Sequence, residues 1–309
     1  MINIYKSSEA GLVTLNEPLE GSWINVLDPT PEEYAWMENL GIPRDYISYP
    51  LDVDERSRVE RENGELLIVL RVPLFNGKNA DIPYSTIPLG IILTDKYLVT
   101  VCKQENSIVQ DMIRGRARGL STPKRFRFIL RLLLLTATTY LNYLREITKT
   151  VDALEDQLQL STRNKEVYEL LKYQKSLTYF TTALKSNELM MERLQRSSLF
   201  KTYPEDDDLL EDVITENQQA IEMTNITSNI LSSMMDAFAS IISNNLNAVM
   251  KFLASITIIV SLPTLISSFY GMNVKLPFMN QPWAFLFTVI LAVVITVAVG
   301  LFFAKKDWL

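Results

Sequence analysis

The sequence of 309 residues has no histidine and a single cysteine. Most zinc and iron sites and every imidazole base are thereby excluded, and Cys102 alone cannot form an internal disulfide. There is no glycine-rich phosphate loop and no cluster of soft ligands, so nothing points to an enzyme or to an organic cofactor. The opening stretch, MINIYKSSEA, has no basic segment leading into an apolar one, and no cleaved secretory signal is expected. A net charge of −6 argues against a dedicated nucleic-acid partner. An ion handled by such a chain is expected to be bound through oxygen.

What is present is concentrated at the end. Phe252 to Tyr270 and Trp283 to Ala304 carry no charge, and each is long enough to cross roughly 30 Å of hydrocarbon at 1.5 Å per residue. Trp283 and Trp308 flank the second stretch, as interfacial tryptophans do. Gly271 to Pro282 joins the two spans, which predicts a hairpin with both chain ends on one side of the bilayer. Lys251 precedes the first span and Lys305-Lys306 follow the second, so the long N-terminal part and the basic tail 305–309 are expected in the cytoplasm. The expected location is a cell membrane, crossed twice.

Residues 1–115 read as mixed α/β. Leu66–Leu70 (LLIVL) and Ile87–Val101 are β-rich runs set off by turn sequences. Thr30-Pro31-Glu32-Glu33 has the form of a helix start, with an N-cap threonine, a proline at the first helical position and a glutamate three residues after the cap. Gly115 to Pro123 interrupts the pattern. Residues 116–246 then read as a helical stalk, with helices over about 124–160, 165–198 and from 206 onward. From Asp206 to Leu262 there is neither proline nor glycine. An unbroken helix there would span on the order of 80 Å. It could transmit motion, or serve as a plain coiled-coil stalk.

The first span has a polar stripe. At 100° per residue, Asn247, Met250, Ala254, Thr257, Ser261, Thr264 and Ser268 share one arc about 100° wide. They recur at alternating spacings of three and four. Such a face either lets helices approach closely or lines a water-filled path. A path requires an oligomer with this span innermost, because two spans cannot enclose a pore. The second span, whose polar residues are Thr288 and Thr296, suits a lipid-facing position. Neither span contains a carboxylate, lysine, arginine or histidine, which argues against a proton relay. Neutral oxygens suit a hydrated cation, and Mg²⁺ is the one that dehydrates most reluctantly.

Tyr270-Gly271-Met272-Asn273 closing the first span, the short loop, the second span and Lys305-Lys306-Asp307-Trp308-Leu309 resemble the CorA family of divalent-cation channels. Asn247-Ala248-Val249-Met250-Lys251 and Tyr49-Pro50-Leu51-Asp52-Val53-Asp54-Glu55 are similar to further motifs of that family. The resemblance implies an α+β protein: a cytoplasmic α/β domain, a funnel of long helices and two membrane helices, assembled as a homopentamer. It implies Mg²⁺ influx, with Co²⁺ and Ni²⁺ as surrogates, and a filter formed by Gly271, Met272 and Asn273 at the outer mouth. Asn247 is implied as an inner polar ring, Met250 and Leu253 as a hydrophobic constriction, and Thr264 as a hydroxyl ring. Thr257, Ser261 and Ser268 complete the lining.

The resemblance also implies closure by regulatory Mg²⁺ held between cytoplasmic subunits. The stalk ligand falls on Asp212, while its partner falls on the uncharged Asn76, with Asp81 as a substitute. The acidic run Glu205-Asp206-Asp207-Asp208 is either a second site, through Asp208, or simply a favourable helix start. The loop from Val274 to Gln281 has no carboxylate and carries Lys275, which predicts weak attraction of cations at the mouth. Two alternatives stand beside Mg²⁺ influx. One is a zinc or other transition-metal transporter, disfavoured by the intact Met272 and the lack of soft ligands. The other is a non-conducting membrane scaffold, in which the stripe is packing alone.

Overall fold

The computed structural model describes residues 1–8, 11–62, 64–116, 119–160, 164–197, 204–274, 278 and 280–308. Two units are distinguished, Met1–Met234 and Met235–Leu309.

The first unit is built on a seven-stranded sheet with strand order β2-β1-β3-β7-β6-β5-β4. The strands are β1 (Ile2–Ser8), β2 (Gly11–Leu15), β3 (Trp23–Leu27), β4 (Arg58–Glu62), β5 (Glu65–Phe75), β6 (Tyr84–Leu93) and β7 (Leu98–Cys102). β3 and β7 run parallel, and the other described pairs are antiparallel.

Continuous apolar runs such as LLIVL arise because the central strands are covered on both faces. Side chains alternate across a strand. Leu66, Ile68 and Leu70 therefore enter one core with Trp23, Leu89 and Phe128. Leu67 and Val69 enter the other with Ile24, Val99, Met37 and Tyr46.

Helices α1 (Pro31–Asn39) and α2 (Arg44–Ser48) contribute to the second core. The start of α1 is a capping box. Thr30 Oγ1 accepts from the Glu33 amide at 3.4 Å, and the Glu33 carboxylate accepts from the Thr30 amide at 2.9 Å. After α2 the chain turns through Tyr49-Pro50-Leu51 and lays Pro50 on β6 at Gly90. A Cβ at Gly90 would lie 2.1 Å from Pro50 Cγ, so only glycine fits there.

The first core is closed by α3 (Ser107–Ile113), α4 (Arg125–Leu160), α5 (Asn164–Arg196) and the start of α6 (Pro204–Tyr270). Two helices are fastened to the sheet at one residue. Pro88, opposite Arg71, has no N–H to offer. The Arg71 carbonyl instead accepts from Asn187 Nδ2 at 2.9 Å and from the Tyr140 hydroxyl at 3.0 Å, while its amide donates to Asn187 Oδ1 at 3.0 Å.

The second unit contains the C-terminal part of α6 and α7 (Ala284–Lys305), both long and apolar enough to cross a membrane. α6 continues through Pro263, which lacks the N–H that would otherwise bond the Ile259 carbonyl. Aromatic rings gather at both ends of α7. Phe278 lies 5.3 Å from Trp283 at the start, and Trp308 stacks on Phe303 at 5.5 Å past the end.

Candidate functional site

Within the second unit the two faces of α6 differ in chemistry and in cover. Pro263, Ser267, Tyr270 and Gly271 line a cavity of about 690 Å³ shared with Ala284, Thr288, Ala292 and Thr296 of α7. Ser255 is wholly buried. Pro263 and Tyr270 lie about 200° round the helix from Ser261 and Ser268 of the stripe, each being displaced by two positions. Asn247, Met250, Leu253, Thr257, Ser261, Thr264 and Ser268 are all exposed, and Thr257, Ser261, Thr264 and Ser268 line one shallow groove. Met250 and Leu253 are each 57% exposed, as are apolar side chains along α7 such as Leu286 and Val294.

Three hydroxyl hydrogens on this face are committed. Thr257 Oγ1 donates to the Leu253 carbonyl at 2.7 Å, Ser261 Oγ to Ile258 at 2.9 Å and Thr264 Oγ1 to Val260 at 3.4 Å. Each donor spent on the helix leaves oxygen lone pairs facing outward, which suits the water shell of a cation. On α7, Thr288 and Thr296 likewise donate to Ala284 and Ala292, so they add no unsatisfied donor on that side.

At the end of α6, the Gly271 amide bonds the carbonyls of Ser267 and Ser268, and the Met272 amide bonds Phe269. Gly271 is not in the left-handed region, and a Cβ there would make only ordinary contacts at 3.5 and 3.6 Å. The backbone at the end of α6 therefore does not itself require glycine at position 271. Met272 and Asn273 are exposed. Lys275 lies outside the described residues.

In the first unit the proposed regulatory residues Asp212, Asn76, Asp81 and Asp208 are all exposed. The Asn76 amide nitrogen donates to the Ile82 carbonyl and to Ser85 Oγ, both at 2.9 Å, fixing the turn between β5 and β6. Within one chain, no group of three or more acidic or thiol side chains that could hold a metal occurs among the described residues. In the run Glu205-Asp206-Asp207-Asp208, the first two carboxylates bind Arg127 of α4 at 2.8 and 2.7 Å. That partner was invisible in the sequence, since the pairing spans 79 positions.

These features define a membrane protein with a two-helix apolar hairpin, whose first helix presents an uncharged, oxygen-rich face. The sequence profile described as CorA-like Mg²⁺ transporter protein matches residues 20–306, and the chain belongs to the CorA family. It is 31% identical to the cobalt/magnesium transport protein CorA of Methanocaldococcus jannaschii over 299 residues, covering 93% of this chain and 91% of that one. It is 26% identical to the cobalt/magnesium transport protein CorA of Thermotoga maritima over 297 residues, 93% of this chain and 83% of the other. The complete structure of the CorA magnesium transporter from M. jannaschii superposes with a TM-score of 0.87 at 27% identity, over 100% of this chain and 99% of that one.

Proposed function

We propose that the protein conducts Mg²⁺ into the cell as a channel, with Co²⁺ as a second permeant ion. The observation that carries this reading is the uncovered face of α6 from Asn247 to Ser268, which offers hydroxyl and amide oxygens and no ionisable group. The relatives named as cobalt/magnesium transport proteins, aligned over nearly the whole chain, support the choice of ion. One hairpin cannot enclose a path, so the functional unit is a ring of identical chains, five by the family resemblance, with α6 innermost.

In that ring, copies of Asn273 meet the hydrated ion at the outer mouth, beside Gly271 and Met272. The ion then passes Ser268, Thr264, Ser261 and Thr257, the constriction at Leu253 and Met250, and leaves at Asn247. Neutral oxygens contact its hydration shell without stripping it. Both chain ends are cytoplasmic, and an inside-negative potential drives a divalent ion inward with roughly 4.6 kcal/mol per 100 mV. Regulatory Mg²⁺ sits between subunits at Asp212, with Asn76 or Asp81 opposite and Asp208 as a further ligand.

Proteoliposomes containing the purified protein test the reading. Mg²⁺ uptake should follow an imposed inside-negative potential and ignore a pH gradient. Zinc uptake that requires a pH gradient, with no Mg²⁺ uptake, would favour the transition-metal alternative. No flux of either ion would leave the scaffold.

A further inference from the structure

A second region of the first unit has the chemistry of an anion site. The loop at Asp54–Ser57, β4, β5, β6 and α5 bound a cavity of about 780 Å³. Its lining includes the cations Arg56, Arg58, Arg71, Lys185 and Arg193, against one acid, Asp54. Two of these cations are already engaged. Arg58 is paired with Glu55 and Glu60. Arg71 directs every guanidinium N–H at neutral oxygen, namely the carbonyls of Val53, Glu55 and Thr86 and the Thr86 hydroxyl, at 2.8 to 3.1 Å. Its charge therefore contributes to the potential of the cavity, but its donors are used.

The other three cations, Arg56, Lys185 and Arg193, are exposed, and their side chains have no ion pair or hydrogen bond among the described residues. Their placement is set by the fold. The Ser57 amide donates to Ser186 Oγ at 3.1 Å and the Ser57 hydroxyl to Asn187 Oδ1 at 2.6 Å, which pins Arg56 beside the stretch of α5 that follows Lys185. Lys185 and Arg193 are separated by about 12 Å along the helix axis. Free cations spread over that length suit a chain of phosphates better than a single one, because each charge can meet its own oxyanion. Tyr179, 45% exposed on the same wall, offers a ring on which a base could stack.

We propose that this cavity binds a polyphosphate anion of nucleotide size, held by Arg56, Lys185 and Arg193. The site is separate from the conducting face, and the proposal does not depend on which ion is transported.

Calorimetric titration of the full-length, detergent-solubilised protein in metal-free buffer tests it, with ATP, pyrophosphate and adenosine as probes. ATP and pyrophosphate should bind. Their affinity should fall at least about tenfold, or 1.4 kcal/mol, in the triple variant Arg56→Ala, Lys185→Ala, Arg193→Ala. A control that removes the same charge elsewhere (Lys78→Ala, Lys149→Ala, Lys175→Ala) should bind like the parent. The substituted side chains are exposed and unpaired, so both variants should fold. Absence of binding by either phosphate probe, equal weakening in the control, or adenosine binding as tightly as ATP would each overturn the proposal.

Discussion

Arg127 Nε lies 2.7 Å from the Asp206 carboxylate, and the Asp206 side chain is only 3% exposed. A run of four acidic residues thus divides by pairing, with Asp206 alone buried and Glu205 78% exposed. Glu205 and Asp206 turn to α4, while Asp207 and Asp208 remain exposed. A nearly buried carboxylate is tolerated only with its partner in place. Arg127→Ala should therefore lower the thermal midpoint of the detergent-solubilised protein by several degrees. Asp206→Asn, which removes the buried charge itself, should lower it less. Equal midpoints for Arg127→Ala and the parent would show that the pair is not structural.

Gly90 tests how the Tyr49-Pro50-Leu51 turn is seated. The proline ring cannot swing aside as a flexible side chain would, so Gly90→Ala forces the turn off β6. Overpacking of this kind costs roughly 1–3 kcal/mol. Chemical denaturation should show the loss, and Gly271→Ala, where a Cβ meets only ordinary contacts, should leave stability unchanged.

Cys102 is buried, and burial pushes its thiol pKa up; its Sγ also donates to the Pro88 carbonyl at 3.3 Å. A raised pKa means less thiolate at a given pH, and the thiolate is the reactive form. Ellman's reagent at pH 8 should react slowly with the folded protein and at once with the unfolded one. Fast reaction in the folded state would mean that the core around β7 opens readily.

That lone thiol makes the stripe testable. In a Cys102→Ala background, Thr257→Cys, Ser261→Cys and Thr264→Cys should react with a charged, water-borne thiol reagent in membranes. Ser255→Cys, on the buried face, should not. Reaction at Ser255→Cys, or protection at all three stripe positions, would favour packing over a water-filled path.

Much of this architecture is legible in the sequence because it follows from burial. LLIVL reads as a strand since both of its faces are covered, and Thr30-Pro31-Glu32-Glu33 reads as a helix start since its partners are local. The charged strand β4, RVERE, shows no such pattern, because it sits at the sheet edge and pairs with β5 alone. On α6, periodicity separates the stripe from Ser255 and Ser267, and the cavity shared with α7 accounts for Ser267. Arg127, Asn187 and the basic cavity were not legible, for their partners come together only through tertiary packing.

The central claim is conduction through the Gly271-Met272-Asn273 mouth. The Asn273 side chain is exposed, so Asn273→Ala should fold and assemble as the parent does. The direct measurement is Mg²⁺ entry into proteoliposomes under an inside-negative potential and low internal Mg²⁺, for the parent and for Asn273→Ala at equal protein density. Selective entry in the parent that is lost in Asn273→Ala is the predicted result. Equal entry in both, or none in the parent, would contradict the account.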